Sequence, residues 1–286
     1  MARRNSGRID GPGIERDESP SAALVGAQNE ESMFSFVIPT EFVDLPSQGL
    51  LYPPDHPLHG ADTVEIKHMT AKEEDLLTSE ALIRKGLALD RLLQSVLVDK
   101  NIKVNDLLVG DKNALLIATR ITGYGPRYIT NVTCPICNTS KEEEIDLNSL
   151  SLKELQTPKN AILTEEGTYL ISFDELDLKI EVQLLKGSDE QSVGQRRQKR
   201  RKLKLPETNI TDQLEAIIVS VNNMSEPSII KQFCNAVPAS ISRKIRTAYE
   251  QLMPDIDLTF NFECDSCNHL GKVGMPLTAE FFWPNS

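Results

Sequence analysis

Aromatic residues are scarce in this chain. They make up only 5% of its 286 residues, and a single one is tryptophan. With hydrophobic residues at 40%, a packed core must come mostly from Leu, Ile and Val. Long apolar runs are absent as well. Nothing approaches the roughly 18 residues that span a bilayer, so no membrane partner is expected. Positive charge is in the minority, with 31 Lys and Arg against 42 Asp and Glu and a net charge of −11. Phosphate affinity comes mainly from such cations, so the balance argues against a nucleic-acid partner. The opening MARRNSGRIDGPG is basic but lacks the apolar stretch of a secretory signal. The chain is therefore expected in a reducing cytosol.

Catalytic signatures are missing too. There is no Walker-type phosphate loop, no GxGxxG, no HExxH and no GxSxG. The four histidines, His56, His59, His68 and His269, form no pattern with a nucleophile. His56 and His59 flank Pro57-Leu58 in a proline-rich loop and are expected to be exposed. Carboxylate pairs such as Glu73/Glu74 or Glu142–Glu144 read as solvated faces or helix starts. No enzymatic role is expected.

What the chain does have is paired cysteines. Four of its five cysteines fall in two CxxC pairs, NVTCPICNTS with Cys134 and Cys137, and FECDSCNHL with Cys264 and Cys267. Each pair lies between a strand that enters and a strand that returns. Two such turns facing each other supply four thiolates to one tetrahedral zinc, as in a zinc ribbon. After the second cysteine the chain must turn back through a left-handed conformation, where Asn is the best substitute for Gly. Asn138 and Asn268 hold that position in both pairs. A redox pair would open a helix, but strand-like residues follow here. Disulfides would need an oxidising compartment, and an iron–sulfur cluster is a further four-cysteine alternative. His269 could replace a missing ligand but is expected to face solvent. Cys234, in IIKQFC, reads as a small buried hydrophobe. Four thiolates leave no open coordination position, so the expected zinc, one per chain, is structural rather than catalytic.

The rest of the chain divides by composition. Residues 1–33 are polar, with few apolar side chains, and read as a disordered arm. Residues 34–69 carry five prolines and two glycines, which forbid a long helix, yet remain apolar. They read as an extended segment lying along a surface, with Thr63–Lys67 as a short strand. Helices are expected over 70–125. Thr70-Ala71-Lys72-Glu73 forms a capping box. Gly86 breaks the first run, and Leu89, Leu92, Leu93, Val96 and Leu97 share one face of the second. Asp111 caps a third helix, which stops at Gly123-Tyr124-Gly125-Pro126. The period then changes to two, and 126–147 with 255–286 form the split zinc-ribbon element. Between them, 148–254 reads as an insertion. It has a β-hairpin over 168–173 and 177–185, a basic stretch, and helices over 209–222 and 240–253. The basic stretch, Gln195–Lys204, has seven positive charges and no interleaved aromatics. It reads as a solvated helical face, or a patch meeting an acidic partner or the protein's own acidic surface. A nucleic-acid or nuclear-localisation role is the alternative. The expected fold class is α+β: a helical N-terminal part plus a split zinc-ribbon-like β element with a β-hairpin and helical insertion.

Long stretches also resemble a known family. FVDLPSQGLLYPPDHPLHG, VEIKHMTAKEEDLLTSEALIRKGLALDRLLQ and LLVGDKNALLIATRITGYGPRYITNVTCPIC are similar, in order, to the baseplate hub assembly proteins of T-even-like contractile-tailed phages. The likeness covers roughly residues 42–148 and the Phe-Phe-Trp-Pro ending. It implies a non-enzymatic role in tail morphogenesis, as assembly factor or component of the central hub. The implied partners are other baseplate hub proteins or the tape measure protein. The implied location is the host cytoplasm during assembly and the tail baseplate of the virion. Two alternatives stand beside it: a chaperone of the tape measure protein that is absent from the virion, and a zinc-ribbon nucleic-acid binder using Arg196–Lys204.

Overall fold

The structure is a computed structural model that describes residues 37–153, 157–275, 277 and 279–282. The expected arm over 1–33 lies outside the described residues. Strand β1 (Thr40–Asp44) pairs antiparallel with β2 (Thr63–Lys67), Val43 opposite Val64. The sequence predicted β2 but not its partner. The proline-rich stretch between them is a loop folded onto the protein itself, with Leu45, Tyr52 and Leu58 buried. Gly49 is essential to this path. Its φ is +70°, and a Cβ there would come within 2.4 Å of the Ala61 backbone nitrogen.

Four helices follow: α1 (Ala71–Thr78), α2 (Glu80–Lys85), α3 (Ala88–Val96) and α4 (Val109–Tyr124). Thr70 starts α1 as expected. Its backbone N–H donates to the Glu73 carboxylate at 3.0 Å. Glu73 is not on a solvated face, however. It is fully buried and also accepts from Lys67 Nζ at 2.9 Å and Ser95 Oγ at 2.6 Å. Burial opposes its ionisation, but the hydrogen bonds from Lys67, Ser95 and Thr70 outweigh it and hold the carboxyl at about 2. Gly86 ends α2 in the left-handed region, φ 69°, which lets the Leu87 N–H reach the Leu82 carbonyl at 2.9 Å.

Helix α4 is covered on nearly every side. Its residues from Val109 to Arg120 are buried, Asn113 excepted, and that set includes Asp111, Lys112, Thr119 and Arg120. Asp111 does not cap the helix as expected, because α4 starts two residues earlier. Its carboxylate instead accepts from the Ser47 N–H at 2.9 Å, the Ser47 hydroxyl at 2.6 Å and the Tyr52 hydroxyl at 2.7 Å. Tyr52 Oη in turn accepts from the Leu108 N–H at 3.0 Å. Burial pushes the Asp111 carboxyl up against the opposing pull of these donors.

Beyond α4, strand β3 (Arg127–Thr133) pairs with β4 (Ser140–Asp146) as a hairpin. Then β5 (Ala161–Leu163), β6 (Tyr169–Phe173), β7 (Leu178–Val182) and β8 (Ile218–Val221) form an antiparallel sheet in that order. The β6–β7 hairpin matches the alternating sequence, with Ile171 opposite Ile180, both fully buried. Helices α5 (Gly187–Lys202) and α6 (Asn209–Ile217) precede β8, and α7 (Pro227–Ala236) and α8 (Ala239–Leu252) follow it. The helix expected over 209–222 is therefore too long. Ile218 and Val221 leave it and pair with β7, Val221 opposite Ile180. Leu214, Ile217, Ile218 and Val221 are all buried, so a helical period and a strand inside the core were indistinguishable.

A last hairpin joins β9 (Thr259–Glu263) to β10 (Leu270–Gly274). The chain is α+β, with small antiparallel sheets among eight α-helices in the described residues. One hydrophobic cluster runs from Val43 to Phe282. Among the described residues no helix is long and apolar enough to cross a membrane.

Two substitutions test this framework. Asp111→Ala strands the buried donors of Ser47 and Tyr52 and should cost about 3 kcal/mol by urea denaturation, more than Asp111→Asn, which keeps an acceptor. Glu73 is held below the ordinary carboxylate pKa of about 4.3. Its stabilisation is thus complete above that pH and fades as pH falls towards about 2. Glu73→Gln should destabilise by about 2 kcal/mol at neutral pH, with the gap to the parent protein narrowing below pH of about 4.

Candidate metal centre

The two cysteine pairs sit at the tips of two hairpins built alike. Strands β3 and β4 close at Thr133 opposite Ser140, and β9 and β10 close at Glu263 opposite Leu270. In the first turn the Asn138 N–H donates to the Cys134 carbonyl at 3.0 Å, and the Cys134 N–H to the Thr139 carbonyl at 2.9 Å. In the second, the Asn268 N–H donates to the Cys264 carbonyl at 2.8 Å, and the Cys264 N–H to the His269 carbonyl at 3.0 Å. Asn138 and Asn268 have φ of 58° and 53°, the left-handed conformation expected at those positions.

The structure brings Cys134, Cys137, Cys264 and Cys267 together, with all four sulfurs within 4.8 Å of one another. Cys134 Sγ lies 3.6 Å from Cys267 Sγ, and Cys137 Sγ lies 3.5 Å from Cys264 Sγ. Each close contact joins one hairpin to the other. Covalent disulfide sulfurs stand about 2.05 Å apart, so these are free thiols. Sulfurs at about 2.3 Å from a tetrahedral metal stand about 3.8 Å from each other, which is close to the spacing found. The donor set therefore fits a metal ion with four thiolate ligands.

Each turn contributes one buried and one exposed sulfur. Cys134 and Cys264 are buried, and Cys137 and Cys267 face solvent. Beneath the buried pair lies a small separate core of Val132 and Phe262, with Phe260 and Val273 packed beside it. Lys141 adds a bridge between hairpins, its ammonium 3.0 Å from Asp265 and 3.2 Å from Glu143.

The thiols of the cluster influence one another's ionisation. The Thr139 hydroxyl and backbone N–H stabilise the Cys137 thiolate and draw its pKa down to about 6. At Cys267 the His269 N–H pulls downward. Desolvation and the neighbouring thiols Cys137, Cys134 and Cys264 override it and push the pKa up to about 12. The hydrogen bonds among the thiols thus favour the thiolate at Cys137 and the proton at Cys267. A divalent ion at the centre of such a cluster favours the thiolate form of its ligands.

The other candidates fall elsewhere. His269 is not solvent-exposed as expected but half-buried, its ring over Gly271. A Cβ at Gly271 would lie 3.0 Å from His269 Nε2, so the ring fills the space that a side chain would need. Cys234 is buried in α7, and burial raises its pKa to about 11. His56 is half-buried, stacked on Tyr52 with ring centroids 4.4 Å apart, while His59 is exposed and its Nδ1 meets the Tyr52 carbonyl at 2.7 Å. His68 Nε2 lies 4.0 Å from Glu41. Sequence reasoning missed Thr139, whose signal was its place directly after Asn138 in CNTS.

A family model described as T4 bacteriophage base plate protein matches residues 40–283, a span that contains both cysteine pairs. No curated protein and no solved structure matches the chain.

Elemental analysis of the purified protein should find about one metal ion per chain. Cys134→Ser and Cys264→Ser should lose that ion and lower the folding yield, because a structural metal contributes folding free energy directly. Cys234→Ser should retain it. Chelation should lower the Tm of the parent protein by about 10 °C or more.

Proposed function

The chain belongs to the T4 bacteriophage base plate protein family, and from that premise we propose that it serves the central hub of the tail baseplate as a non-enzymatic assembly protein. The observation that carries this reading is the extent of the family match. Over residues 40–283 it takes in the proline-rich loop, α4 and both halves of the cysteine centre together. The proposed metal is zinc, whose preference for tetrahedral thiolate sites suits the four sulfurs. Four protein ligands close the site to substrate and water, so zinc acts as a clamp and not as a Lewis acid. The proposed partners are other hub proteins or the tape measure protein. The protein acts in the host cytoplasm during assembly and then in the tail.

Infection with a phage lacking this gene should yield no complete baseplate hubs by electron microscopy. Normal tails from such a phage would overturn the hub role. Mass spectrometry of purified virions should detect the chain. Its absence there, combined with co-purification with the tape measure protein from infected cells, would replace the hub component with a chaperone.

A further inference from the structure

The basic stretch forms a largely exposed face at the C-terminal end of α5, as the sequence suggested. It lines a cleft of about 520 Å³ between α5 and the C-terminal end of α2. The Gln198 side-chain amide donates to the Arg84 carbonyl at 2.8 Å and fixes the two helices against each other. The rim of the cleft holds four cations, Arg84 and Lys85 from α2 and Arg197 and Arg201 from α5. Its apolar lining comes from Ile83, Leu89 and Leu277.

The cleft's own carboxylates do not neutralise that rim. Asp90 and Glu190 are taken by Lys112, at 2.8 and 3.0 Å. Together these three groups leave one negative charge against four positive. Arg84 pairs with Glu80 at 3.3 Å and Arg201 with Glu207 at 2.9 Å, but both are exposed pairs. Such pairs contribute about 0–1 kcal/mol and exchange readily for a better partner. Lys85 has no ion pair among the described residues, and the Arg197 Nε is shielded from solvent with no acceptor.

We propose that this cleft docks a short acidic segment of another protein, with an apolar side chain seated between the cationic rims. Carboxylates on the segment replace the weak pairs of Arg84 and Arg201 and meet Lys85 and Arg197. The apolar side chain covers Ile83 and Leu89. Charge decides for a peptide over a nucleic acid. The field of exposed groups is screened within about 8 Å at physiological salt, so a short segment senses only the local rim. An extended polyanion also crosses the rest of a chain whose net charge is −11. Among the described residues the cleft offers no aromatic side chain on which a base could stack. The inference stands apart from the hub role, since it concerns the binding chemistry of the purified chain.

The test is fluorescence anisotropy on the full chain with a labelled glutamate-rich peptide carrying a central leucine. A glutamine-rich peptide and a single-stranded oligonucleotide of matching charge serve as comparisons. The acidic peptide should bind, the glutamine peptide should not, and rising salt should weaken binding. Lys85→Glu with Arg201→Glu should weaken it about tenfold or more, equivalent to about 1.4 kcal/mol. Arg197→Gln should weaken it less. Lys159→Glu with Lys231→Glu, exposed cations elsewhere, should leave it unchanged. Thermal melts confirm that each variant is folded, and the salt dependence of the parent protein gives a readout independent of the variants. No binding of the acidic peptide would overturn the proposal. So would tighter binding of the oligonucleotide that Lys85→Glu with Arg201→Glu abolishes. Self-association abolished by the same substitutions would make a second copy the occupant and overturn it as well.

Discussion

A helix covered on nearly every side must find a hydrogen-bond partner for each polar side chain it buries. Helix α4 is under that constraint. Asp111 reaches the loop before β2 through Ser47 and Tyr52. Lys112 reaches α3 through Asp90 and α5 through Glu190. Asn113 bonds Asp255 at 3.1 Å, beyond the end of α8. Arg120 bonds the carbonyls of Gly125, Arg127 and Phe281, gathering the start of β3 and the far end of the described chain. An unpaired group at any of these positions costs about 1–3 kcal/mol, and more if charged. The arrangement is therefore specific. Other apolar packings of the same elements would leave several of these groups unbonded.

How much of this was legible in the sequence depended on whether the signal was local. The cysteine spacing and the trailing Asn138 and Asn268 encode a turn and its backbone conformation within a few residues. The centre was readable for that reason, although its halves lie far apart. The β6–β7 alternation and the Gly86 stop are equally local. The fate of the proline-rich loop was not. Its Ser47 and Tyr52 meet, 64 and 59 residues later, a carboxylate that reads, locally, as an ordinary cap. Glu73 shows the same limit, since the capping box was visible but Lys67 and Ser95 closing over it were not. Ile218 and Val221 failed for another reason. In a short stretch buried throughout, periodicity carries no information, and the pairing with β7 decides.

The two hairpins that hold the cysteines belong to separate two-stranded sheets, with no strand of one bonded to a strand of the other. Between them, among the described residues, lie a small core around Phe262, the Lys141 bridge and the sulfurs. A metal ion held by the four sulfurs would add coordination bonds to this small apolar contact.

The sulfurs that meet across this contact are 127 and 133 residues apart in the chain. A ribosome adding about 5–20 residues per second needs on the order of ten seconds to pass from one pair to the other. Throughout that interval the first hairpin carries only two of the four sulfurs that the complete cluster brings together. The second pair, once made, joins the first at a local concentration set by the folded chain around it. Helix α4 is complete before the second pair is made, and its Asn113 bonds Asp255 just ahead of β9, so it helps to place the second hairpin beside the first.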